Sequence, residues 1–249
     1  MIIRGHQELM RRYAELKPGD IFIGQVGARS IHQALLIDCQ ARRIRCFPSA
    51  LAQCLHHSKT AQAFVLNEFM LPRTRVVSRR SDLLAAATEY GKAGIGAVVT
   101  KQNQMHCGHG VRKWDSAEML YNLLGFETEA FPFVLQPFLA EFTDVRAIIA
   151  GQYREAYARR NPGGFRKNLA AGGSSVPYDL SCNEVDFCLR VMERAAFPYA
   201  HIDLHVTPEG KIYLSEIALN GGLKGAAVNR PELDQIKQEI LELLAKGAK

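Results

Sequence analysis

A chain of 249 residues is long enough for one two-lobed unit or two small domains. Its apolar fraction of 47% and charged fraction of 22% exclude a disordered chain, and no run reaches the roughly 20 uncharged apolar residues of a membrane-spanning helix. The formal charge of +6 favours anionic partners such as nucleotides, phosphates or acidic peptides, while aromatics that do not interleave with the basic clusters argue against nucleic acid.

In chain order, the opening Met1 to Glu8 carries Arg4 at once and no apolar core of a secretory signal, so a cytoplasmic location is expected. After Pro18-Gly19, Asp20 to Ile23 reads as a buried strand. Ser30 is the expected cap of a helix over Ile31 to Gln40, and Ile44 to Phe47 is a second strand ended by Pro48, which completes a βαβ-type unit. Ser49 to Phe69 reads as helical and contains Lys59; Pro72 ends it before the strand Arg75 to Val77. Ser81 and Asp82 are expected to cap an alanine-rich helix to Gly91. The β-branched run Ala97 to Lys101 is a strand, followed by a polar, glycine-punctuated loop from Gln102 to Val111. Phe133 to Gln136 is a strand stopped by Pro137. Val145 to Ala150 and Arg154 to Arg160 form an antiparallel pair turned at Gly151. Cys182 to Ala196 is helical, His201 to Val206 with Lys211 to Ile217 forms a hairpin turned at Thr207 to Gly210, and Pro231 to Leu244 is an amphipathic helix. The six cysteines contain no CxxC and read as reduced core thiols. Helices alternate with strands in the first half and antiparallel strands dominate the second, so the expected class is α+β with two lobes and a cleft between them.

Several constellations suit chemistry. Lys101 ends a buried strand and precedes Gly108-His109-Gly110; such a loop lets backbone N–H groups wrap phosphate oxygens while the lysine supplies charge. The spacing matches neither of the two familiar glycine-rich phosphate motifs, and a plain surface loop is the competing reading. His106, Cys107 and His109 offer transition-metal ligands but lack a fourth. His201, Asp203 and His205 alternate along one strand face, either as a metal face or as one carboxylate aimed at a cleft between flanking histidines. Glu216 on the partner strand can stand beside Asp203. Two carboxylates facing one cavity repel unless a cation joins them, and hard oxygens favour magnesium; a surface carboxylate pair is the alternative. Arg146, Arg159, Arg160, Arg166 and Lys167 are either solvated or a clamp on phosphoryl oxygens.

Taken in order, Ser58-Lys59, Val98 to Lys101 with its glycine loop, Leu135 to Leu139, Asp144-Val145-Arg146, Arg159-Arg160, Phe165 to Leu169 with Gly172-Gly173, Ile202-Asp203-Leu204, and Glu216 with Gly222 to Gly225 resemble the ATP-grasp superfamily, specifically its RimK-like branch, which includes ribosomal-protein glutamate ligases. The resemblance covers about Gly19 to Gly225. It implies an ATP-grasp fold in which two lobes with antiparallel sheets clasp ATP, with a reduced N-terminal domain over residues 1–55 and an ATP-grasp domain over 56–249, its small lobe about 70–138 and its large lobe about 139–249. It further implies that Lys59 and Lys101 touch the phosphates under a loop through Gly108 and Gly110. The backbone at Gln136, Phe138 and Leu139 would hold adenine, and Glu141 the ribose. Arg146 with Arg160 or Arg166 would steady an acyl phosphate, and Asp203, Glu216 and an asparagine would ligate Mg2+, with Mn2+ as the alternative metal. The sequence departs where the metal asparagine belongs, two residues after Glu216: that position is Ala218, with Asn220 as the substitute. Pro137 also replaces a usual acidic residue. The implied activity joins a small-molecule or peptide carboxylate to an amine; an impaired ATP-binding regulator and a small-molecule kinase are the alternatives, and a homodimer is compatible with either.

Overall fold

Short apolar runs build the N-terminal sheet. In the computed structural model, which describes residues 1–27, 31–103, 110–124, 130–161, 164 and 172–247, β1 (Ile2–Arg4), β2 (Ile21–Ile23) and β3 (Arg45–Phe47) run parallel with β2 in the centre. All three residues of β2 are buried, as a central parallel strand between helices requires. The expected unit around residues 19–48 is present, with α2 (His32–Ala41) as its crossover, and β1 and α1 (Gly5–Arg12) add a second one that the sequence did not suggest. The expected Ser30 cap lies outside the described residues. Ile3, Leu9, Phe22, Leu36 and Ile44 form a small core of their own.

The helical stretch after Pro48 is broken in two, because Ser58 ends α3 (Ala50–His57) and starts α4 (Lys59–Val65): its hydroxyl accepts from Ala61 N at 3.1 Å. Each helix carries a buried glutamine turned onto backbone. Gln53 accepts from Val26 N at 2.9 Å and donates to Pro48 O at 2.8 Å and Gly24 O at 3.3 Å, which fixes the chain leaving β2. Gln53→Leu strands these groups and is expected to cost about 2–3 kcal/mol in chemical denaturation; a change below a few tenths of that would show the loop to be held otherwise.

A four-stranded antiparallel sheet follows, in the order β4 (Arg75–Val77), β7 (Phe133–Pro137), β5 (Val98–Gln102), β6 (Val111–Trp114). One face is covered by α5 (Arg80–Lys92) and α6 (Ala117–Leu124), through Leu83, Tyr90, Val98, Leu120 and Leu135. Two expectations are corrected here. The α5 cap is not Ser81: the helix begins at Arg80, and Asp82 reaches back from inside the first turn to accept from Ser78 N at 3.0 Å. β7 does end at Pro137, but one residue later than expected, because the proline itself still sits opposite Val98 in the ladder. Strand β6 and helix α6 had no clear sequence signal, because Arg112 and Lys113 interrupt any alternation.

The third sheet has the order β10 (Ser174–Pro177), β9 (Tyr153–Arg160), β8 (Thr143–Ala150), β11 (Tyr199–Val206), β12 (Ile212–Ala218), all antiparallel. Gly151 takes φ +62° in the β8–β9 turn, as expected. The sheet packs on α7 (Cys182–Ala195), which Ser181 and Glu184 start with a reciprocal capping box, and on α8 (Arg230–Gly247), whose Lys237 lies over the Tyr199 ring and beside His201. The largest core lies here and includes Phe187, Val191, Ile202, Leu233 and Leu241, extended by α3 and α4 through Leu55 and Ala63. No described helix is long and apolar enough to cross a membrane.

Candidate active site

Strand register assembles the charged centre. In the third sheet Arg146 lies directly opposite Asp203, Asp144 opposite Arg159, and Asp203 opposite Glu216. Directly opposed residues share a face, so five charged side chains gather on one face, which also carries Tyr199 and His201 and meets Lys237 of α8 at that end. Arg146 grips Asp203 with two hydrogen bonds, Nε to Oδ1 at 2.6 Å and Nη2 to Oδ2 at 2.8 Å. Arg159 Nη2 reaches Asp203 Oδ2 at 3.0 Å and Asp144 Oδ1 at 2.6 Å. The Arg159 Nε–H is buried with no partner among the described residues, a donor that an anionic oxygen would satisfy.

A bulge shapes the next contact. Asp203 pairs with Glu216 but Leu204 pairs with Leu214, so Ser215 is the extra residue on β12. Its carbonyl, turned out of the ladder, accepts from Lys101 Nζ at 3.1 Å, and its hydroxyl contacts the same Nζ at 3.0 Å. Lys101 thereby ties the second sheet to the third. Lys59, at the start of α4, meets Glu216 Oε1 at 3.3 Å. Four cations against three carboxylates leave one excess positive charge, suited to a polyanion.

Burial and pairing set the titration of these groups. Burial lowers the Lys101 ammonium to about 8, although Glu216 opposes the shift. Burial raises Asp203, but Arg146 and Arg159 outweigh it and hold the carboxyl well below its usual range. Asp144 is shifted up by burial, with Arg159 opposing. His201 is driven down to about 3 by burial and by Lys237, so it is a neutral imidazole. A lysine must be charged to hold a phosphate, so if Lys101 has that role, affinity for a non-hydrolysable ATP analogue is expected to fall as pH rises through about 8. A flat profile from pH 7 to 9 would contradict that role.

The other expected residues are placed unevenly. Gln136 is buried in β7 opposite Val99; Phe138 follows it, with its N–H on Ala97 O at 2.9 Å and Lys113 over its ring at 4.0 Å. Leu139 is half-buried and Glu141 exposed, both on the connection from β7 to β8. Gly110 is buried and accepts from Gln102 N at 2.8 Å, while Gly108, His106, Cys107, His109 and Arg166 lie outside the described residues. Asn220 does not turn to the carboxylate pair: Lys237 donates to its Oδ1 at 3.1 Å and its Nδ2 donates to Gln25 at 3.1 Å. Ala218 lies opposite His201. Arg160 is exposed, and its neighbour Arg159 is the buried one. Sequence reading missed this preference, yet the turn at Gly151 fixes it: once Ala150 pairs with Tyr153, Arg159 falls opposite Asp144.

The donor set fits a hard divalent cation. Among the described residues no three His, Cys, Asp or Glu side chains converge as a metal cluster, so the chain supplies two facing carboxylates. Magnesium suits such a pair, because it completes its octahedron with water and phosphate oxygens. A separate cavity of about 390 Å³, lined by Thr100, Gln102, Arg112, Trp114 and Phe133, opens beside Thr100 and Gln102. These alternate with Lys101 on β5, so the cavity lies on the opposite face of the second sheet from the charged centre.

Two antiparallel sheets joined by a lysine across a cationic, carboxylate-bearing cleft define an ATP-grasp protein. The RimK-like ATP-grasp domain family matches residues 56–244, and the chain belongs to that family. Solved structures with the same fold include the D-alanine–D-alanine ligase of Bacillus anthracis complexed with ATP, at TM-score 0.66 and 15% identity over 98% of this chain and 85% of that one. A RiPP-associated ATP-grasp ligase of Chryseobacterium gregarium, bound to ADP and a leader and core peptide, superposes at TM-score 0.60 with 16% identity, covering 92% and 77% of the two chains. An ADP complex of N5-carboxyaminoimidazole ribonucleotide synthetase gives TM-score 0.60 and 11% identity; 82% of this chain spans only 55% of that protein. No curated protein matches the sequence.

Proposed function

We propose that the chain is an ATP- and magnesium-dependent ligase that joins a carboxylate to an amine through an acyl phosphate, using an ATP-grasp unit over residues 56–249 and a short N-terminal unit over 1–55. The observation that carries this reading is the arrangement of Lys59, Lys101, Arg146 and Arg159 around Asp203 and Glu216. Lys101 and Lys59 bind the phosphates, and the connection from Gln136 through Phe138 and Leu139 to Glu141 receives the nucleoside. Asp203 and Glu216 hold the metal, which when bound neutralises phosphate charge. A substrate carboxylate oxygen attacks the γ-phosphorus and ADP leaves; the amine then attacks the acyl carbon, phosphate leaves, and the nitrogen loses its proton. Arg146 and Arg159 stabilise the negative charge on the transferred phosphoryl and on the tetrahedral oxygen. The acid and the amine are small molecules or peptide groups.

Ala218 favours a second reading, an ATP-binding protein with impaired ligation, because the chain brings two carboxylates and no asparagine from β12 to the metal. Release of ADP and phosphate that requires acid and amine together, from panels of amino acids and acidic peptides, would support the ligase. ATP binding with no such turnover, unchanged by Ala218→Asn, would reject it.

A further inference from the structure

Gln62 lies within α4, is 2% exposed, and has none of the roles assigned above. Its carboxamide makes three hydrogen bonds, all to backbone. Nε2 donates to Leu55 O at 2.7 Å and to Ile217 O at 2.8 Å, and Oε1 accepts from Ile217 N at 3.0 Å. The paired contact on Ile217 is the one a neighbouring strand would make. β12 has a strand on one side only, β11; on its other edge Met70 bridges Leu214, and beyond the bulge Ile217 turns both polar groups to that edge, where the Gln62 amide closes it. Lys59 stands three residues earlier on the same helix face and meets Glu216, the residue before Ile217. One helix therefore holds both the Glu216 side chain and the backbone that follows it.

The bulge at Ser215 explains why such a clamp matters. The ladder slips there, immediately before Glu216, and a bulge displaced by one residue would turn Glu216 to the other face of the sheet, away from Asp203. We infer that Gln62 pins the register of β12 so that Glu216 stays opposite Asp203, and that it is a positioning residue for divalent-metal binding. The inference rests on the reading of Asp203 and Glu216 as the metal pair.

The test titrates Mn2+ by electron paramagnetic resonance into the full chain holding a non-hydrolysable ATP analogue. Gln62→Met keeps the length and apolar stem without the hydrogen bonds, and is expected to weaken Mn2+ binding about 10- to 100-fold while leaving metal-free affinity for the analogue unchanged. Gln62→Asn retracts the amide by one methylene and should shift in the same direction, which keeps the test open if the methionine variant does not fold. Unchanged Mn2+ affinity in a folded variant overturns the inference. So does an equal loss of metal-free analogue affinity, which would mark a general collapse of the cleft, or the failure of both variants to fold, which would mark a purely structural role. Glu216→Gln separates the inference from its premise: if it leaves Mn2+ affinity at the wild-type value, both fall, and if it weakens binding while the Gln62 variants do not, only the inference falls.

Discussion

Asp203→Ala is expected to destabilise the protein by about 3–5 kcal/mol and to abolish metal-dependent nucleotide binding. The reason is the company Asp203 keeps. Removing it leaves Arg146 without its two-pronged partner and Arg159 with Asp144 alone, in a region where Asp203 is 5% exposed. The loss should be far larger than for a surface ion pair, such as that between Arg190 and Asp186. A double variant discriminates charge balance from function: Arg146→Met with Asp203→Leu removes the pair together and keeps the Arg159–Asp144 pair, so most of the stability should return, yet metal-dependent nucleotide binding should not. The sign of the pH dependence follows from the lowered Asp203 carboxyl. Its contribution is fully present above the ordinary aspartate value of about 4 and is lost as pH falls below it, so Asp203→Ala should flatten the acid limb of the stability profile. Chemical denaturation across pH and calorimetric titration read both effects.

Lys101→Met is expected to move stability and binding in opposite directions. In the ligand-free protein the ammonium is buried and lowered to about 8, with neutral Ser215 groups as its hydrogen-bond partners. Because the folded value lies below the unfolded value of about 10.4, wild-type stability should rise with pH between those limits. At pH 7 the methionine variant should be more stable by about 1–2 kcal/mol, the relief of desolvation being partly offset by the stranded Ser215 carbonyl. Affinity for the nucleotide should fall about 10- to 100-fold with loss of a charged hydrogen bond to phosphate, and its dependence on pH near 8 should vanish. Loss of both stability and affinity would instead make Lys101 a structural tie between the sheets. Such opposed effects are usual where a buried charge serves a ligand.

The parts of this fold that could be read from sequence are those where local pattern and tertiary context agree. Apolar runs such as Ile21 to Ile23 and Val145 to Ala150 have one sensible fate, and the Gly151 turn fixes the pairing that follows. β1 is three residues long and β6 is broken by Arg112 and Lys113, so neither shows a period. The single helical stretch across Ser58 was misjudged because a serine is tolerable within a helix and decisive only as a cap. At the site, alternation alone placed Asp203 and Glu216 on facing strands, and the structure sets them opposite each other. Three features lay beyond it. The bulge at Ser215 depends on how β12 meets β11, the engagement of Asn220 depends on Lys237 from a distant helix, and the burial of Arg159 in place of Arg160 depends on register. Gln62 and Gln53 also went unnoticed, since a glutamine in a short helix is unremarkable until the backbone it clamps is known.

The central claim is that the face carrying Lys59, Lys101, Arg146, Asp203 and Glu216 is one nucleotide and metal site. Calorimetric titration of a non-hydrolysable ATP analogue into the wild type at pH 7, with and without Mg2+, tests it most directly. One site per chain is predicted, tightened by Mg2+ in the wild type, insensitive to Mg2+ in Glu216→Gln and weakened in Lys101→Met. Binding that survives all these changes unaltered, or no binding in the wild type, would contradict it.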